Sequence, residues 1–423
     1  MAKKQPYESL VQTPSHLRID EARPRVEHAL DILRSGGTVC IVEDVADGQA
    51  VFAAQLGELA NTDAVNLLVQ QAGGILAVTV DDERADALQL AELPRRRAPE
   101  WMPRYAVSIE AAKGVSTGIS AADRSKTIQT VADPDTLADG LVRPGHVMPI
   151  RIAPLGSLRR PYGPEAAHDL AVLAGRSCGA VISHVIEGND ELRPDRAEAF
   201  SQSHGWPLLR VSDVIVYRAT HDILVRVISE ATLETQHGRF QVRLYENDLD
   251  QSSHVALLRD DGGGPSRSSE PLVRIHSQCL TGDVLGSLRC DCGEQLQHSL
   301  ARVAEAGHGA VVYLSQEGRG IGLTNKIRAY ALQDGGSDTV DANVQLGFPP
   351  DQRDYAVAGQ ILRQMDMTRI RLMTNNPEKL TAMARLGIEI TERVAIEAEP
   401  SEANRRYLQT KRDRMGHLLE RLN

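Results

Sequence analysis

Apolar and polar positions follow two rhythms along this chain. In the first half, stretches with the 3.6-residue period of a helix run into short apolar blocks. "ARPRVEHALDILRSGG" (22–37) reads as a helix closed by a glycine pair, and "TVCIVED" (38–44) as a buried strand. The same order recurs in "TDAVNLLVQQAGG" with "ILAVTVDD" (62–82), and in "GPEAAHDLAVLAGRS" with "CGAVISHVI" (163–186), ahead of "LLRVSDVIVYRATHD". From about residue 232 the texture changes. "GRFQVRLYEND", "SHVALLRDD" and "EPLVRIHSQ" alternate with period two between polar turns and predict antiparallel strands. The chain then returns to helix and strand: "CGEQLQHSLARVAEAG" is a helix ended by Gly307, "GAVVYLSQ" and "RIRLMTNN" are strands, and a helix starts at Pro377.

This pattern predicts two domains, 1–215 and 216–423. An α+β sheet packed with helices is expected first, then an α/β domain with a mixed sheet and an antiparallel start. "DDGGGPSRSSEP" (260–271) has the composition of a linker, but it lies between strand-like runs and is read as an extended hairpin loop.

Composition changes this picture little. Aromatic residues are only 4% of the chain, so both cores must rest on Val, Leu, Ile and Ala. The apolar runs fall far short of the ~20 residues that span a bilayer, so no membrane association is expected. "MAKKQPYESLVQTPSHLR" has no apolar core and is not read as a signal peptide, which leaves a cytoplasmic address as the expectation. A net charge of −10 argues against broad nucleic-acid binding but leaves room for a locally basic pocket and an anionic small substrate.

The candidate chemistry begins with cysteine. Cys279, Cys290 and Cys292 are three of only five cysteines, crowded into "RIHSQCLTGDVLGSLRCDCGEQL" (274–296). Thiolates are soft, compact donors that suit Zn2+. Spacing alone allows a catalytic zinc with an open position, a structural zinc completed by His276 or His298, or three idle thiols. Cys40 and Cys178 lie in apolar strand contexts and read as buried thiols. Downstream, "SQEGRGIGLTNKIRAYALQDGGSDT" sets Gly318, Gly320 and Gly322 among Arg319, Lys326 and Arg328, a combination suited to phosphate. It matches neither a P-loop nor a dinucleotide fingerprint. With "PDQRDY" and "TNNPEK" it suggests a metal hydrolase for a phosphorylated substrate.

These strings, with the tail "YLQTKRDRMGHLL", resemble GTP cyclohydrolase II of riboflavin biosynthesis over roughly residues 225–420. The resemblance implies hydrolysis of GTP to 2,5-diamino-6-(5-phosphoribosylamino)pyrimidin-4(3H)-one, with release of formate and pyrophosphate. One Zn2+ per chain would sit on Cys279, Cys290 and Cys292, and Mg2+ would accompany the triphosphate. Arg353 would act at the α-phosphate, Asp351 would accept a proton beside it, and Tyr330 would assist ring opening. The nucleotide would be bound by Arg274, Ile275, His276, Ser277, Gln278, Gln295, Glu317, Gly318, Arg319, Thr339, Thr374 and Lys379. A homodimer is the family's default.

The first half carries a second resemblance. "AVSIEAAKGVSTGISAADRSKTI", "RPGHVMPIR" and "PEAAHDLAVLAG" look like 3,4-dihydroxy-2-butanone 4-phosphate synthase. That family has an acidic loop after its first strand, for Mg2+ and proton abstraction. "IVEDVADGQAVFAA" keeps only Glu43, Asp44 and Asp47 of such charge. Gly163 stands where the family has a metal-binding His, and His184 where it has a catalytic Glu. The expectation is a degenerate synthase domain in which "STGISAADR" serves as scaffolding, joined to an active cyclohydrolase. Two other readings compete with it: a cyclohydrolase-II-like paralogue of pyrimidine degradation, and a non-catalytic GTP-binding partner of the pathway.

Overall fold

The computed structural model describes residues 19–45, 50–99, 101–176, 179–261, 270–349, 353, 355–402, 404–419 and 421–422. The chain divides into two compact units, 1–221 and 222–423. The expected boundary at 215 falls inside the helix Val211–His221, whose Val214, Ile215 and Val216 are buried, so the first unit keeps the whole helix.

In the first unit the strands are β1 (Val39–Val42), β2 (Val51–Leu56), β3 (Gly73–Asp81), β4 (Ile109–Ala111), β5 (Leu141–Ile152), β6 (Ala180–Glu187), β7 (Asp190–Glu191) and β8 (Leu208–Arg210). They form one mixed sheet in the order β4-β5-β3-β6-β2-β1-β8, with β7 paired to β6. β1 and β2 are buried at every position, which explains why "TVCIVED" is a continuous apolar run and does not alternate. Cys40 is a buried thiol there, as expected; Cys178 lies outside the described residues.

The second unit holds β9 (Val225–Thr235), β10 (Gly238–Asn247), β11 (Ser253–Asp260), β12 (Leu272–Ser277), β13 (His308–Leu314), β14 (Arg369–Met373) and β15 (Glu389–Val394), in the order β15-β14-β12-β13-β11-β10-β9. The antiparallel region opens at Val225, earlier than the change of texture near 232. β9, β10, β11 and β13 pair antiparallel, whereas β12 is parallel to both β13 and β14.

That last pairing corrects two sequence expectations. "EPLVRIHSQ" alternates like a half-solvated antiparallel strand, yet Arg274 and His276 are only 6% and 2% exposed. Its polar face meets a functional cavity, not water. β11 and β12 each pair with β13 and not with each other, so these two strands do not form a hairpin; residues 262–269 between them lie outside the described residues. β12 lies between its successors β13 and β14, so connections leave it in opposite directions. Open α/β sheets place ligands at the carboxyl ends of strands around such a point.

Candidate active site

The carboxyl ends of β12, β13 and β14 surround a cavity of about 440 Å3. After β12 come Ser277, Gln278 and Cys279; after β13, Glu317 to Arg319; after β14, Thr374 to Asn376. Gly318 and Arg319 both take left-handed backbone (φ 62° and 63°), uncommon for an arginine, and this turn brings the basic loop over the strand ends.

The three cysteines meet here. Their sulfurs lie within 4.8 Å of one another, and Cys279 Sγ is 3.7 Å from Cys290 Sγ. Thiolates held ~2.3 Å from one ion in a tetrahedral shell stand roughly 3.8 Å apart, so the Cys279–Cys290 separation suits zinc and the donor set fits it. Cys279 follows β12, and Cys292 opens the helix Cys292–Ala306, which Gly307 closes in the left-handed conformation. The short helix Leu280–Asp283 fits beneath them because position 282 is glycine: a Cβ there would stand 2.8 Å from Cys290 Sγ.

Neither histidine completes a closed shell. His276 Nε2 faces the Asp283 carboxylate at 3.1 and 3.2 Å, and the His298 ring, half exposed, lies by Glu294. Among the described residues no fourth His, Cys, Asp or Glu joins the thiols. Asp283 orders this corner by also accepting from Cys279 N (2.9 Å) and from the Tyr313 hydroxyl (2.9 Å).

Electrostatics prepare the cluster for a cation. Cys279 is held far below the ordinary thiol range, first by hydrogen bonds from Cys290 and Cys292 and then by Lys326, whose Nζ is 3.1 Å from its sulfur. Cys290 and Cys292 are pushed up, first by their hydrogen bonding to Cys279. Metal binding to such a cluster would displace its remaining thiol protons. Burial opposes the charge on Lys326, but Glu317 (2.8 Å) and Cys279 keep it protonated. Lys326→Met therefore leaves Glu317 and the Cys279 thiolate uncompensated. It is expected to weaken metal binding by about 10- to 100-fold, measured by chelator competition.

The other predicted residues divide into those facing the cavity and those supporting it. Arg274 donates to Met373 O (2.9 Å) and Gln295 Oε1 (2.7 Å), and its Nε is buried without a partner. The Ser277 hydroxyl is likewise buried and unsatisfied beside the cavity. Gln278, Gly318, Arg319, Thr339, Arg353, Thr374 and Lys379 line it. Tyr330 lines it too, its hydroxyl 3.1 Å from Thr281 Oγ1, which lies 3.6 Å from Cys279 Sγ. The Ile275 side chain is in the core, and only its carbonyl takes part, accepting from Lys379 Nζ at 2.7 Å. Glu317 is engaged internally, accepting from Leu280 N (2.7 Å), Gly318 N (3.0 Å) and Lys326. Arg328 points away, to Asn325. Asp351 lies outside the described residues.

Sequence reasoning missed several lining residues: Asp291, Asn343, Asn375, Asn376, Tyr407, Lys411 and His417. The tail motif was the one available signal for the last three.

In the first unit the described carboxylates that follow the first strand make internal bonds. Glu43 accepts from Gly163 N (2.8 Å) and Ala50 N (3.3 Å), with burial pushing it up. Asp44 accepts from Ser212 N at 3.0 Å. Asp47 lies outside the described residues. A Cβ at Gly163 would stand 2.3 Å from the Phe52 ring, whose other neighbour is the His184 ring with centroids 4.3 Å apart. Asp123 of "STGISAADR" accepts from Ser116 N, the Ser116 hydroxyl and Gly118 N, tying the loop to its own helix.

The sequence model of GTP cyclohydrolase II matches residues 225–395, and that of 3,4-dihydroxy-2-butanone 4-phosphate synthase matches 27–217. Riboflavin biosynthesis protein RibBA of Chlamydia trachomatis is 42% identical, covering 93% of this chain and 93% of the relative. RibBA of Salinispora tropica is 43% identical over 93% and 98%. This chain belongs to the RibBA family. Its second unit is the GTP cyclohydrolase II half of a RibBA, and the protein is an enzyme of riboflavin biosynthesis. The fold agrees with that of a two-domain 3,4-dihydroxy-2-butanone 4-phosphate synthase, RibBX of A. baumannii, at TM-score 0.57 and 24% identity over 88% of this chain and 99% of that one. Membership of the RibBA family gives the first unit its ancestry; whether that unit retains its reaction depends on the individual side chains. No helix among the described residues is long and apolar enough to cross a membrane.

Proposed function

We propose that this RibBA is a zinc-dependent GTP cyclohydrolase II whose synthase half is silent. The observation that carries the first part is the three-sulfur cluster at the floor of a cavity ringed by Arg274, Arg319, Arg353 and Lys379. Zinc on Cys279, Cys290 and Cys292 would supply an activated water at the purine ring. Tyr330 lies beside the cluster and holds the end of the ring that opens. Arg319, Arg353 and Lys379 hold the phosphates, which Mg2+ accompanies, and Asp351 takes up a proton beside Arg353. Arg274, fixed by Gln295 and Met373 O, lines the cavity as a further positive group. Purified protein stripped by a thiol-competent chelator is expected to lose formate release from GTP and to regain it with one equivalent of Zn2+. Full activity of the stripped protein, or restoration by Mg2+ alone, would refute zinc catalysis.

The silence of the first unit rests on Phe52. Its ring fills the space beside Gly163 and lies tilted against the His184 ring, the two positions where the synthase family has its metal-binding His and catalytic Glu. An apolar ring there excludes a hydrated cation, and neither Gly163 nor a half-buried His184, lowered by desolvation, replaces a carboxylate base.

A further inference from the structure

The tail motif that the cyclohydrolase reading left without a role forms a helix, Arg405–Met415, along one side of the cavity. The helix is polar on nearly all sides, with Leu408 its one deeply buried apolar residue, so apolar packing contributes little to its docking. Ion pairs hold it instead. Lys411 Nζ is 2.6 Å from Asp291 Oδ1, and Arg414 pairs with Asp338 and with Asp341 (3.0 Å). Asp291 sits between Cys290 and Cys292, and its other oxygen accepts from Gln295 Nε2 at 2.6 Å. Gln295 in turn holds Arg274. The helix is thereby latched to the residue between two of the thiols and to the arginine at the cavity wall.

Gly416 ends the helix in the left-handed conformation, and the chain turns back so that His417 N donates to Lys411 O at 3.1 Å. Leu418 N then donates to Asn375 O (2.9 Å), pinning the turn to the loop after β14. His417 is left lining the cavity. Burial, then Lys411, Arg353, Arg319 and Lys379, lower its pKa to about 3, so the ring is neutral and carries one N–H donor.

The geometry points to the segment Asn404–Leu419 as a strap that closes the phosphate end of the cavity, in which His417 donates to a phosphate oxygen and Lys411, fixed by Asp291, is the positioning residue. This rests on the reading that Arg319, Arg353 and Lys379 hold the phosphates of GTP. A strap docked by ion pairs over a surface that ordered packing does not seal can open for the triphosphate and close upon it.

The test uses the metal-loaded, full-length enzyme, with inorganic pyrophosphate as competitor against GTP. His417→Ala is expected to raise the KM for GTP and the pyrophosphate inhibition constant together by about 10- to 100-fold, the size of one hydrogen bond to a charged group, with metal content unchanged. Lys411→Met paired with Asp291→Asn, which removes both partners of this ion pair together, is expected to move both constants in the same direction. Unchanged constants in His417→Ala would overturn the strap, and so would a metal content that falls with them, because His417 would then support the fold and not the phosphate. Arg319→Ala separates the parent reading: if it too leaves pyrophosphate competition unaltered, the phosphates lie elsewhere and both readings fail.

Discussion

Cys290→Ser is expected to reduce formate release from GTP by at least about a hundredfold and to empty the metal site in parallel. A serine hydroxyl is a hard donor that stays protonated at neutral pH, so the cluster drops from three soft ligands to two. The effect goes beyond one lost bond, because the sulfurs share charge. With Cys290 replaced, Cys279 loses a hydrogen bond that holds it as the thiolate, and only Cys292 and Lys326 remain beside it. The rest of the unit should stay folded: Cys290 is half-buried on a loop, outside the apolar clusters formed by β12, β13, β14 and their helices. Metal content by mass spectrometry, formate yield and the product's ultraviolet spectrum, measured on one preparation, decide the matter. Metal retained at full stoichiometry with no turnover in the unaltered enzyme would instead favour a structural ion and a GTP-binding role.

Ribulose 5-phosphate with Mg2+ is expected to give no formate from the same preparation that turns over GTP. Enediolate chemistry needs a base to take the proton and a cation to polarise the carbonyl. At the positions that would supply them on this reading stand Gly163 and His184, with Phe52 against both, and the described carboxylates that follow the first strand, Glu43 and Asp44, are already used. Glu43 holds the amide that starts the helix Gly163–Leu173, and Asp44 holds Ser212 at the start of another. Recruiting either to a substrate would break a helix terminus. Formate at an enzyme-like rate, abolished by His184→Ala, would show that histidine had taken over the base and would overturn the silent reading.

How much of this was legible beforehand can be argued from particular residues. Helix Cys292–Ala306 and its Gly307 stop follow from local rules, a 3.6-residue apolar stripe and a left-handed cap. β13 and β14 are apolar runs of strand length between helices. Local pattern failed at β12, because Arg274 and His276 imitate a solvated face. A polar residue in an alternating strand signals polar surroundings, and only the assembled sheet reveals that these are a cavity. The role of 261–271 failed for a related reason: which strands pair is a non-local choice that adjacency in sequence does not express.

At the site, sequence by itself determined the donor set. Three thiols in fourteen positions, a glycine-rich basic loop and the extended strings around them are covalent facts that folding cannot alter. It also placed Gly163 and His184 at the positions on which the proposed silence of the first unit rests. Only the tertiary structure decided that the thiols stand within 4.8 Å of one another, that His276 faces Asp283, and that Phe52 lies against Gly163. It alone brought Lys326 to Cys279 and Lys411 to Asp291, across 47 and 120 residues. Composition and spacing specify which groups exist. Coulomb interaction and coordination fall off within a few ångströms, so what those groups do depends on the packing that brings them into range.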